Sequence, residues 1–455
     1  MVDDRPLTRR DSDSDDSDDS DFALTAPPAA PAVAAPSAAT APGSDDSDFA
    51  MSAAQDTDVE FARERLLDGW DQDMISQARV MIVGAGALGN EALKNLALLG
   101  FRNLFIIDMD TVSRSNLSRS VLFSRADQGK GKAAAAGRST RRLALSKNVH
   151  IRQFTGDLTL DLGSGVYRRM DVVLGCLDNV AARIATDAGC WLFGVPWVEG
   201  GMAGYHGNVT IFTPLDGPCY LCTLSEADRT NERQRFSCDQ RKQRYAMSNQ
   251  IAAVQTVSSI IAATQVQEAI KLLQGKREPR SIFYDAISNR MEQSTMSAVA
   301  KHALHHPTLV NRKIHEERRL SHSTPLRAAL AILGETLGAA ATIRLDHAFV
   351  SAAVCTNCGH SEPVLRSLPR IWADEYQSCP SCGSTSSGNA ARIEDLAIRF
   401  ITVREAGPTS PDPLQDLTLE QLGLPALHVI QVRAAGATHY VELTGDLAAV
   451  LGRWG

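Results

Sequence analysis

The sequence predicts an α/β protein built on a mostly parallel sheet with helices on both faces, followed by a small α+β unit. Three observations carry this. From Ala78 onward, short apolar runs alternate with amphipathic stretches, the pattern of strands buried on both faces and joined by helical crossovers. The first of those runs ends in a glycine-rich turn that opens a helix, a turn through which backbone can approach phosphate. Beyond residue 325, CTNC and CPSC stand 20 residues apart, the spacing of a four-cysteine zinc ribbon.

Residues 1–57 run through an Asp/Ser block and an Ala/Pro stretch, compositions that bury too little apolar surface to offset the entropy of ordering, so they are expected to be disordered. The string SDDSDFA occurs there twice, Ser17–Ala23 and Ser44–Ala50. It reads as a solvated acidic tail, with a docking peptide as the alternative. The sheet then begins: RVMIVGAG, the helix NEALKNLALLG, NLFIIDMD, a helix near Lys130–Leu145, VHIRQF, MDVVLGCLDN, VPWVEGG and GNVTIFTP. After a charged stretch, a long helix is expected over Asn249–Leu273, and SIFYDAI adds a last strand. This places a first domain over 58–310. A second unit over 311–455 ends in LTLEQLGLPALHVIQVR and HYVELTG, read as a short helix and a strand pair.

The chain has 455 residues, 44% of them apolar, and a formal charge of −7. Residues 1–59 hold 14 Asp against three Arg, a balance of −11, so the remainder is close to +4. No strongly basic stripe favours nucleic acid. No apolar run long enough to span a bilayer and no basic-then-apolar start appears, which predicts a cytoplasmic protein. Nine cysteines, six of them in CxxC pairs, read as metal ligation in a reducing compartment, with zinc the first expectation.

Gly84, Gly86 and Gly89 in VGAGALG, with Asp108 about 24 residues further on, form a nucleotide site in which the carboxylate binds ribose hydroxyls. Glycines alone do not choose between ATP and a nicotinamide dinucleotide. The residues that follow do: DMDTVSRSNLSR with Asp108, Asp110, Asn116 and Arg119, GKGKA with Lys132, and CLDN with Asp178 and Asn179.

In this ordered set, spread over Phe61–Gly275, the chain resembles the adenylating domain of the ThiF, MoeB and ubiquitin-activating superfamily. The resemblance implies a Rossmann-like domain that uses ATP to adenylate the C-terminal carboxylate of a ubiquitin-like or sulfur-carrier protein. A carboxylate attacking the α-phosphate is already ionised and needs no general base. Positioning and charge neutralisation suffice, and Lys132 and Arg119 suit the phosphate oxygens. Asp178 would hold Mg2+ and Asn116 would help fix the triphosphate. Where the family has Gln after the Asn-Leu-x-Arg turn, this chain has Ser120. FARERLLDGWDQD puts Arg63 on the family's entry arginine, which reaches the ATP of the partner subunit and so implies a homodimer.

The resemblance also places Cys238, within ERQRFSCDQRKQR, on the reactive cysteine that accepts the carrier as a thioester; a conjugating enzyme is then a further partner. Basic neighbours Arg235, Arg241, Lys242 and Arg244 would favour its thiolate. Cys355, Cys358, Cys379 and Cys382 are expected to hold one Zn2+ by themselves. Cys219 and Cys222 match the first of two zinc-binding pairs in the MoeB-like family. Three arrangements stay open for them: completion by His302 and His305, completion by Cys379 and Cys382, or no metal. Cys176 and Cys190 read as ordinary buried thiols. The competing functions are a related adenylating enzyme acting on a peptide or tRNA, a dehydrogenase, and a catalytically dead scaffold.

Overall fold

The computed structural model describes residues 59–146, 148–224, 254–297, 307–385 and 398–452. The acidic tail with both SDDSDFA strings lies outside them, as do Cys238, His302, His305 and the first residues of the long helix expected from Asn249.

An eight-stranded sheet runs β3-β2-β1-β4-β5-β6-β7-β8. Strands β1 (Arg79–Val83), β2 (Asn103–Ile107), β3 (His150–Phe154), β4 (Val172–Gly175) and β5 (Trp197–Ala203) are parallel. Strands β6 (His206–Phe212), β7 (Arg280–Asp285) and β8 (Arg290–Thr295) extend it antiparallel. The central strands read as unbroken apolar runs because successive side chains enter different cores. Val80 and Ile82 join a cluster with helices α2 (Ala87–Leu98), α3 (Lys132–Leu143) and α6 (Gln255–Leu273). Met81 and Val83 join the opposite cluster, with Cys190 of α4 (Val180–Phe193), Tyr167 and Trp197. With both faces covered, alternation disappears from the sequence.

Strand β8 carries no such signal, and the sequence pattern does not predict it. All six of its residues are exposed. Backbone pairing to β7 and a turn in which Ile287 N–H donates to Asp285 Oδ1 at 3.0 Å define it.

A second sheet runs β11-β10-β13-β14-β9, with β12 also paired to β10. It comprises β9 (Ile314–Glu316), β10 (Ala341–Cys355), β11 (Ser361–Ser367), β12 (Ile398–Ala406), β13 (Val429–Ala434) and β14 (Ala437–Glu442). Helix α7 (Leu326–Leu337) lays Leu326, Ala329, Leu330 and Leu333 on its core. The strand pair expected at the end is the β13–β14 hairpin, closed by Ala435 and Gly436 at φ 50 and 75. The short helix expected at LTLEQLG does not form. Leu422 N–H donates to Thr418 O at 3.1 Å in a single turn, which Gly423 at φ +89 and the following Pro425 end; the first-turn amides of Leu419 and Glu420, which a helix leaves free, donate to Thr324 O (3.0 Å) and His322 O (2.8 Å).

The two sheets belong to one compact unit. Fully buried Glu442 of β14 is gripped by Arg168 and Arg169 from the segment before β4. A Cβ at Gly163 would stand 2.0 Å from Ala426 O, so that junction requires glycine.

Candidate active site

The strand order reverses between β1 and β4, the position at which doubly wound sheets open a crevice at their carboxyl ends. Gly84 follows β1 at φ +94, and a Cβ there would lie 2.4 Å from the Cys176 carbonyl oxygen after β4. A Cβ on Gly89 would lie 2.0 Å from Gly84 O. These two glycines are therefore demanded by strand–helix packing. Gly86 has nothing within 4 Å of its virtual Cβ and is the N-cap of α2 without a side-chain cap. Its openness is the feature that phosphate approach uses.

Asp108, at the end of β2, holds this turn. Its Oδ2 accepts from Ala85 N–H at 2.7 Å and its Oδ1 from Asp110 N–H at 2.8 Å. Burial pushes its carboxyl up while Lys132 draws it down. Lys132, the first residue of α3, sets Nζ 2.8 Å from Asp110 Oδ2, and its N–H donates to Asp110 O at 2.9 Å. Asn116 Oδ1 accepts from Ser113 N–H at 2.9 Å, and Arg119 Nη1 donates to Ser115 O at 2.8 Å. Ser120, in the place of the expected Gln, is buried.

Sequence reasoning missed Asn90, the residue that joins these parts. Fully buried in α2, it donates to Ala85 O at 2.7 Å and accepts from Leu122 N–H at 2.9 Å. The glycine turn is thereby tied to the loop carrying Asn116 and Arg119. The available signal was a polar side chain on the apolar face of a helix.

At the end of β4, Cys176 N–H donates to Val83 O at 2.8 Å, which brings the next residues beside the glycine turn. Asp178 is exposed, and its Oδ1 accepts from Asn179 Nδ2 at 3.3 Å. Asn179 Oδ1 accepts from Ala182 N–H at 2.8 Å and caps α4. Exposed carboxylate oxygen at the crevice mouth is a donor of the type Mg2+ takes together with phosphate oxygens, so the residues fit an ATP–Mg2+ complex. Arg63 stands on an exposed turn beside Leu66 and Leu67, which are 84% and 58% exposed. The contacts that unite the other residues do not include it.

The four ribbon cysteines do meet: their sulfurs lie within 4.8 Å of one another. Cys355–Cys382 and Cys358–Cys379 are each 3.7 Å apart, close to the roughly 3.8 Å edge of a tetrahedron with Zn–S about 2.3 Å. The two knuckles are built alike. Gly359 and Gly383, at φ +73 and +68, each donate N–H to the first cysteine's carbonyl at 3.0 Å. The donor set fits Zn2+. With Cys379 and Cys382 facing Cys355 and Cys358, they do not complete a site with Cys219 and Cys222. That pair lies 3.6 Å apart, Cys222 on a one-turn helix, α5 (Tyr220–Thr223), and Cys219 at its N-cap, and burial pushes the Cys219 thiol up to about 12. Burial also pushes Cys176 up to about 12 and Cys190 well above its ordinary value, as suits neutral core thiols.

Fold and site together define a nucleotide-binding α/β protein whose crevice is equipped for phosphate charge. Residues 60–305 match the ThiF family, and the chain belongs to it. Over 239 residues it is 35% identical to the molybdopterin-synthase adenylyltransferase of Escherichia coli strain K12, covering 50% of this chain and 89% of that protein. Over 178 residues it is 35% identical to the NEDD8-activating enzyme E1 catalytic subunit of Dictyostelium discoideum, covering 36% of this chain and 38% of that protein. Among solved structures, a crystal structure of E. coli MccB is similar at a TM-score of 0.43 and 20% identity, over 54% of this chain and 72% of that one.

Proposed function

We propose that the chain is an ATP-dependent adenylyltransferase that activates the C-terminal carboxylate of a ubiquitin-like or sulfur-carrier protein. One observation carries the reading: in a member of the ThiF family, Lys132, Asp108, the open Gly86 turn and exposed Asp178 gather where β1 and β4 part. Hydride transfer has no use for that cluster of charge, whereas attack on a polyphosphate requires it.

A carrier carboxylate oxygen bonds to the α-phosphorus, the bond to the β-phosphate bridge breaks, and pyrophosphate leaves. Lys132 and Arg119 neutralise phosphate oxygens and Asn116 orients the chain of phosphates. Asp108 takes the ribose. Asp178 would hold Mg2+, which supplies charge neutralisation when bound. The Zn2+ assigned to Cys355, Cys358, Cys379 and Cys382 is structural, since four thiolates leave no open coordination position.

In the same reading, Cys238 takes the acyl group from AMP as a thioester for a conjugating enzyme. The working form is a cytoplasmic homodimer in which Arg63 reaches the partner's nucleotide. No helix among the described residues is long and apolar enough to cross a membrane. The exposed Leu66 and Leu67 beside Arg63 offer apolar surface to a second subunit.

The test separates the two chemical steps. With ATP and a carrier ending in Gly-Gly, Cys238→Ser should retain pyrophosphate exchange, because adenylation uses no thiol. It should fail to form the thiol-releasable carrier adduct seen on a non-reducing gel. An unchanged adduct would remove Cys238 from the mechanism and leave an enzyme that stops at the adenylate or uses another thiol.

A further inference from the structure

Beside the nucleotide crevice, on the face of the sheet opposite α6, lies a cavity of about 630 Å³ lined in part by Arg183, Glu199, Asn208, Thr210, Tyr220 and Ser281. Glu199 and Thr210 pair across β5 and β6 on this face, while Val198 and Val209 point to the core of α6. Glu199 is 3% exposed. A carboxylate so placed requires a partner, and Arg183 of α4 supplies it, with Nε 2.6 Å from Glu199 Oε1.

The same guanidinium reaches the other way. Its Nη2 donates to Leu177 O at 2.7 Å, the carbonyl of the peptide whose nitrogen belongs to Asp178. Asn208 Nδ2 donates to Glu199 Oε2 at 3.3 Å and completes the carboxylate's surroundings. Gly201 makes the room: a Cβ there would lie 2.5 Å from Asn208 Oδ1 and 3.5 Å from Arg183 Nη2. On its other side, Asp178 is followed by the Asn179 cap of α4. Asp178 is thus suspended between two fixed points, one made by Asn179 and one by Arg183.

We propose that Arg183, anchored by the buried Glu199, is a positioning residue that fixes the Leu177–Asp178 peptide and so aims Asp178 at the metal and phosphates. The inference rests on reading Asp178 as the Mg2+ ligand. Glu199 acts one step further back by holding the guanidinium. Lysine would keep the charge opposite Glu199 but lacks the planar fork that serves a carboxylate and a carbonyl at once.

The experiment measures binding of a non-cleavable α,β-methylene ATP analogue to the full chain by calorimetry, with and without Mg2+, alongside the thermal midpoint. Wild type should bind more tightly with Mg2+. In Arg183→Lys the magnesium-dependent tightening should fall about tenfold or more while metal-free binding stays unchanged, as expected for an outer residue that orients a ligand. Glu199→Gln, which keeps an acceptor for Arg183, should retain most of it. A merely structural arginine would lower the thermal midpoint and leave the tightening alone. Should Arg183→Lys not fold, the double variant Arg183→Gln, Glu199→Gln strands no buried charge, and the same loss is expected. Tightening retained in the arginine variant overturns this proposal alone, whereas a wild type with no magnesium effect overturns the reading of Asp178 and the proposal with it.

Discussion

Asp187 offers a sharp test of the electrostatics beneath the crevice. It is fully buried in α4, accepts from Trp197 Nε1–H at 3.2 Å and from the Tyr220 backbone N–H, and burial lifts its carboxyl to about 7 from 3.8. A carboxyl raised in the folded state carries no penalty while both states are protonated. Its cost grows as pH rises through the window from about 4 to about 7, and above that window the cost is constant. At about 1.36 kcal/mol per unit, roughly three units amount to about 4 kcal/mol. Asparagine keeps an acceptor for both N–H groups and cannot ionise. Asp187→Asn should therefore exceed wild type by only about 1 kcal/mol near pH 4.5 and gain further on it through neutrality, by several degrees in melting midpoint at pH 8.5 at about 2–4 °C per kcal/mol. Calorimetric midpoints for both proteins across pH 4.5–8.5 make the comparison, and groups common to both cancel in the difference. Parallel curves would show that Asp187 does not titrate in this window and refute the reasoning.

Gly86→Ala should leave the thermal midpoint unchanged, since nothing lies within 4 Å of the added carbon and φ is −74. It should weaken ATP-analogue binding by about tenfold or more if backbone must approach phosphate there; equal binding by calorimetry would remove the phosphate role of that glycine. Elemental analysis of protein purified without chelator should find at least one zinc per chain, and Cys355→Ser should contain one fewer, because three thiolates no longer complete the tetrahedron. A zinc content unchanged in that variant would place the metal elsewhere.

The centre of the large sheet was legible because burial on both faces writes itself as continuous apolar runs, and the glycine turn because a Cβ on two of its glycines would stand 2.4 and 2.0 Å from backbone oxygens. Lys132, Asp108 and Asp178 stand in ordered motifs, two of them directly after the neighbouring strands β2 and β4 that flank β1. Three features were not legible. Strand β8 has six exposed residues, so its pairing leaves no hydrophobic pattern to read. Asn90 bonds to backbone and Arg183 and Glu199 pair their charges inside the core, and a sequence does not say which buried polar groups will meet. The CxxC spacing announced a metal clip, but only the approach of the two knuckles, with Asn357 Nδ2 donating to Ser384 Oγ at 2.9 Å, decides which cysteines share it. LTLEQLG shows the converse, a helical pattern cut to a single turn by Gly423 at φ +89 and the Pro425 that follows.

The central claim is that this crevice adenylates a carrier carboxylate with Asp178 at the metal. Carrier-dependent exchange of labelled pyrophosphate into ATP measures that step and no later one. Wild type should exchange, and Asp178→Ala, at an exposed position whose loss leaves the core untouched, should fold normally yet exchange roughly 100- to 1000-fold more slowly, the usual cost of one such electrostatic group. Exchange by Asp178→Ala at the wild-type rate would contradict the account.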